Sequence, residues 1–171
     1  MKENLKAKIH ECADINLKDI PFSEEVVNIC KSNGCGKYGA NWCCPPAIPS
    51  MEENIRMMEN YRGGFVFSTV TDLEDSYDFE GMAEAKNKHL QLTRDILEEY
   101  KQQYPGARAF SAGACDICSK CAYPGSPCRF PDRAIPSFEG MGVNVMALSK
   151  KYGMHYINGV NTVTYFSLII Y

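Results

Sequence analysis

Four cysteines, Cys115, Cys118, Cys121 and Cys128, fall within fourteen residues, the first three spaced C-x2-C-x2-C. Thiolates gathered this closely repel one another unless a cation or a cluster holds them. A C-x2-C loop curls two sulfurs onto one metal. A third Cys at the same step reaches a neighbouring iron of a cubane, as in the bacterial ferredoxin run, where a more distant fourth Cys completes the set or serves another cluster. Structural zinc prefers separated pairs around one tetrahedral ion. The spacing therefore points to a 4Fe–4S cluster, with zinc as the alternative. Glycine and proline inside the stretch keep it a loop, so the fold must present that loop.

A second constellation lies upstream. Cys30, Cys35, Cys43 and Cys44 run C-x4-C-x7-C-C and are followed by Pro45 and Pro46. Gly34, Gly36 and Gly39 let backbone amides approach a cluster closely, and Tyr38 and Trp42 offer an apolar lid. Burial and amide hydrogen bonds are what set a cluster's potential. Adjacent cysteines diverge along an extended chain, so Cys30, Cys35 and Cys44 are the expected ligands and Cys43 the one least able to join them. His89, a Cys of the other group, water or a substrate would then take the fourth position.

The chain has 171 residues and nine cysteines. This count suits metal binding in a reducing, cytoplasmic compartment better than disulfides. The charged opening from Met1 to Glu11 has no apolar signal core, no apolar run is long enough to span a bilayer, and a net charge of -3 leaves no nucleic-acid footprint.

Periodicity supplies the frame. Leu5, Ile9 and Cys12 form the apolar stripe of an opening helix, which makes Cys12 a core residue. Ser23 caps a helix from Glu24 to Lys31. Ser50 and Glu53 make a capping box for a helix reaching about Tyr61. Phe65–Thr71 reads as a buried strand. Met82, Ala85, His89, Leu92, Ile96 and Tyr100 define one face of a helix from Gly81 to Gln103, with His89 a satisfied core histidine. A short strand, Ala107–Ala112, leads into the Cys115 motif. Ser137 caps a helix with the stripe Phe138, Met141, Val145, Leu148 and Tyr152. Met154–Ile157 and Thr162–Ile170 flank Asn158-Gly159 as a hairpin. The expected class is α/β: a single compact domain over residues 1–171, with a small mixed sheet, helices on its faces and cysteine-rich loops at one edge.

Two motifs together carry a resemblance: Y-G-x-x-W-x-C-P-P at Tyr38–Pro46, and C-x2-C-x2-C-x6-C-R-x-P at Cys115–Pro131 with P-S-x-E-x-M-G-V at Pro136–Val143. The chain resembles a family of small, cysteine-rich predicted metal-binding proteins from about Cys30 to the C-terminal strand. The resemblance implies metal or iron–sulfur binding with no settled reaction. In that pattern the residue before the last Cys of the first motif is not usually Cys, which sets Cys43 apart from Cys30, Cys35 and Cys44. The expected function is electron transfer or redox metabolism on one or two 4Fe–4S clusters, toward a redox partner protein or a small-molecule substrate. The alternatives are a zinc-stabilised binding module and an enzyme with an open-site cluster.

Overall fold

The computed structural model describes residues 1–171. At its centre is a sheet of four strands: β1 (Glu11–Ile15), β2 (Gly64–Asp72), β3 (Arg108–Ser111) and β4 (Thr162–Ile170), in the order β1-β2-β4-β3. Every pairing between strands is antiparallel. One parallel bridge, Ser111 to Ser137, adds to the β3 edge.

The period of two in β2 and β4 supplies both cores. Phe65, Phe67 and Ile169 face α4 (Phe79–Gln103), where Leu90, Leu92 and Ile96 meet them. Val66, Phe166, Leu168 and Ile170 face the other way, onto Phe138, Met141, Val143 and Leu148. A strand buried on both faces reads as a continuous apolar run, as Phe65-Val-Phe does. The α/β class therefore holds, with helices over both faces. The remaining helices are α1 (Glu3–Lys6), α2 (Glu24–Lys31), α3 (Met51–Met58) and α5 (Val145–Lys151). The α3 capping box forms as expected, Ser50 Oγ accepting from Glu53 N–H at 3.2 Å and Glu53 Oε2 from Ser50 N–H at 2.7 Å.

Three expectations are corrected. The opening helix stops at Lys6, and the chain turns into β1. Leu5 and Ile9 still pack toward α4, but Cys12 lies exposed on an edge strand opposite Phe67. Five ladder partners on β2 outweigh a stripe of three residues. The helix after Ser137 is interrupted: a 3-10 turn, Glu139–Met141, ends at Gly142 with φ +89°, and Asn144 caps α5 by accepting from Ala147 N–H at 2.9 Å. Gly142 is required there, since a Cβ would sit 3.0 Å from Met51 and Val27. Finally, Met154–Ile157 forms no strand. β4 already pairs with β2 and β3 on its two sides, so no edge is left for a hairpin partner. His155 instead anchors to Glu11, its backbone N–H bonding Oε2 at 2.7 Å and its Nδ1 lying 2.7 Å from Oε1.

Replacing the exposed Cys12 by Ser is expected to change stability by no more than ~0.5 kcal/mol, the usual range for surface sites. A melting curve displaced by more than a few degrees would show that this thiol has a structural role.

Candidate metal centre

Two long loops reach the β3 edge. Residues 32–50 connect α2 to α3, and residues 112–138 leave β3 and return at the 3-10 turn. Neither contains a helix or strand. Side chains lace them together instead. Asn41, only 3% exposed, accepts from Cys43 N–H at 2.9 Å and donates through Nδ2 to the Cys115 carbonyl at 2.8 Å. Trp42 Nε1 donates to the Ser126 carbonyl at 3.0 Å, and its ring meets Tyr123 edge-on at 4.8 Å. Ser137 N–H donates to the Cys43 carbonyl at 2.8 Å.

This lacing sorts eight of the nine cysteines into two cavities. Cys115, Cys118, Cys121 and Cys128 line one together with Cys43, closed by Trp42, Ile117 and Phe130. The space among these five thiols is about 20 Å³. Cys30, Cys35 and Cys44 line the other, a pocket of about 400 Å³ walled also by Tyr38, Lys86 and Glu139. The adjacent pair Cys43 and Cys44 thus diverges, one thiol into each cavity. The two aromatics expected to form a single lid are divided in the same way. All nine cysteines are free thiols, and Cys12 stands apart on β1. No three His, Cys, Asp or Glu side chains converge as a single metal ion would require.

The electrostatics follow from crowding. A hydrogen bond from Cys43 holds the Cys115 thiol below the usual range, and burial works against it; Cys43 itself is driven up by that bond and by burial. Burial, together with the charges of Cys35 and Cys30, pushes Cys44 up to about 12. Cys30 rises through burial, the Glu139 carboxylate and Cys35. Thiols raised in this way ionise when a cation arrives, so binding a metal would release protons. Cations stand close by. Arg94 lowers Cys115, and Lys86 lowers Cys44. Lys86 and Lys37 both pair with Asp116, Lys37 at 3.3 Å, so the second residue of the C-D-x-C run ties α4 to both loops.

His89 belongs to neither cavity. It is 1% exposed, with Nδ1 2.8 Å from Thr69 Oγ1 and Nε2 2.8 Å from Ser167 Oγ. Both ring nitrogens are already engaged, as expected of a satisfied core histidine. Of the flanking arginines, Arg129 donates to the Lys120 carbonyl at 3.0 Å and Arg133 lies over Phe130 at 5.8 Å. The basic residues that act on the thiols, Arg94 and Lys86, come from α4. Sequence reasoning missed them because they are solvent-side letters on a long helix. Asn41 was missed as well, though an Asn two residues before a buried Cys is a recurrent backbone-bonding signal.

The donor set suits soft metals. Eight thiols with no imidazole among them is the chemistry of iron–sulfur clusters and structural zinc. A comparison with protein-family models matches residues 13–171 to the family described as "Predicted metal-binding protein (DUF2284)". No curated protein and no solved structure matches the chain.

Proposed function

The chain belongs to the predicted metal-binding family DUF2284, and from that premise we propose that it is an iron–sulfur protein of redox metabolism. One 4Fe–4S cluster would be held by Cys115, Cys118, Cys121 and Cys128, and a second would sit on the Cys30, Cys35 and Cys44 loop. The observation that carries this reading is the sorting of eight thiols into two neighbouring cavities by loops that have no other regular structure. A single zinc ion, with Zn–S bonds of ~2.3 Å, draws its sulfurs to a point. Eight thiols divided between two cavities are more than one such ion can use.

Such a cluster supplies one-electron transfer when bound. The protein's own part is the environment. Trp42, Ile117 and Phe130 give the four-cysteine site its apolar wall. Cys43, the fifth thiol there, is the strongest influence on the Cys115 thiol and so a lever on potential. Asn41 fixes the Cys115 backbone, and Arg94 offsets thiolate charge. Cys128 and Cys43 also border a cleft of about 830 Å³ lined by Arg94, Lys101, Arg108 and Arg133 together with Asp95, Glu98 and Asp132. That cleft is where a redox partner or small-molecule substrate would approach.

A second reading, a zinc-stabilised binding module, is favoured by one observation: about 20 Å³ among five thiols is closer to one ion than to a cubane. The metal content decides between them. Protein purified without oxygen is expected to be brown, with broad absorbance near ~400 nm that bleaches on reduction and with iron and sulfide in equal amounts. Colourless protein holding stoichiometric zinc and no sulfide would overturn the iron–sulfur reading.

A further inference from the structure

The Cys30, Cys35 and Cys44 site has three thiols where a cubane has four irons. Cys43 points into the other cavity and His89 is engaged in the core. Among the residues lining the same pocket is one further anionic side chain, Glu139. It comes from the P-S-x-E-x-M-G-V motif, which electron transfer at the four-cysteine site leaves unexplained.

The protein holds Glu139 in a set orientation. Its Oε2 accepts from Gly113 N–H at 3.0 Å and from Ser137 Oγ at 3.1 Å. Ser137 Oγ also accepts from Gly140 N–H at 3.1 Å, which binds the serine into the turn that carries the glutamate. Oε1 takes no hydrogen bond and no cation from the protein. The two lysines on this side, Lys37 and Lys86, are committed to Asp116. A half-buried carboxylate with one oxygen pinned and the other free beside three thiols is arranged like a ligand, since ligating carboxylates are characteristically held by outer hydrogen bonds. The Gly142 reversal, with φ +89°, closes the turn behind it through a Gly142 N–H to Glu139 carbonyl bond of 2.8 Å.

We infer that Glu139 supplies the fourth, non-cysteine ligand of the three-cysteine site, through Oε1, to the iron that no thiol reaches. The inference rests on the iron–sulfur reading of that loop. An oxygen ligand is harder than a thiolate and binds iron less tenaciously, so this is the position at which a small ligand entering the pocket would exchange.

Glu139→Gln tests it, because an amide oxygen can keep the bonds to Gly113 and Ser137 while the anionic donor is lost. Titration with ferricyanide takes one electron from the cluster. The [4Fe–4S]2+ core becomes [4Fe–4S]3+, and release of its poorly held iron as Fe2+ leaves [3Fe–4S]+, which is visible by electron paramagnetic resonance. The expected result is a 3Fe–4S signal and loss of one iron per chain in Glu139→Gln, little of either in the parent, and the parent's behaviour restored in Glu139→Cys. Identical iron content and spectra in Glu139→Gln and parent, with both proteins folded, would overturn the assignment. Cys35→Ser separates this from failure of the underlying reading. It should remove about half the iron if two clusters are present. If it removes none, the loop carries no cluster and the proposal falls with it.

Discussion

Cys118→Ser is expected to lose the cluster at the Cys115–Cys128 loop and to melt ~10 °C or more below the parent. The reason lies in how little else holds that loop. Residues 112–138 contain no helix or strand, and Cys118, Cys121 and Cys128 are only partly buried. The loop is tied to α4 by the Asp116–Lys86 pair and the Arg94 bond to the Arg133 carbonyl, and to the other cysteine loop by single hydrogen bonds such as Asn41 to Cys115 and Trp42 to Ser126. Metal binding that closes such a loop is folding free energy. A loss of several kcal/mol corresponds to the stated shift at ~2–4 °C per kcal/mol for a chain of this size. Iron content and the melting curve should fall together, whereas Cys12→Ser should leave iron content unchanged. Cys118→Ser protein that kept its iron and its melting temperature would exclude this loop as the metal site.

The second large effect is on acid stability and concerns His89. Burial brings this group from its ordinary value of 6.5 down to about 4. The unfolded chain therefore takes up a proton between those values and the folded chain does not. Stability from His89 is complete above pH 6.5 and is lost as pH falls toward 4, by about 3 kcal/mol at ~1.36 kcal/mol per unit. No charged group faces the ring to offset this. Its neighbours are Thr69, Ser167, Phe67 and Tyr165. Acid also weakens thiolate ligation, so the comparison is between the parent and His89→Asn at equal metal content, by denaturant unfolding from pH 7 to 4. The variant should start less stable and lose less. Parallel curves would mean that His89 titrates normally in the fold.

Much of the fold was legible because periodicity reports burial directly. The α4 face of Ala85, His89, Leu92 and Ile96 is buried as its spacing implied, and the Ser50–Glu53 box caps α3. The run Phe65-Val-Phe is a central strand. The failures lie where a short pattern met a stronger partner. Leu5, Ile9 and Cys12 read as a helix, but a strand edge was open beside β2. Thr162 to Ile170 read as half of a hairpin, but β3 and β2 enclosed it.

The cysteines divide along the same line. Their number, softness and C-x2-C-x2-C step are local properties, and these alone carried the expectation of metal held through thiolates, to which the match to a predicted metal-binding family adds. Which thiols share a cavity was decided only by tertiary structure. Cys43 leaves its own motif for Cys115 because Asn41 bonds both backbones, and Glu139 meets Cys30 because the turn ending at Gly142 returns it to α2. Those contacts join residues far apart in the chain, and the spacing of cysteines within one loop carries no information about what the second loop brings beside it.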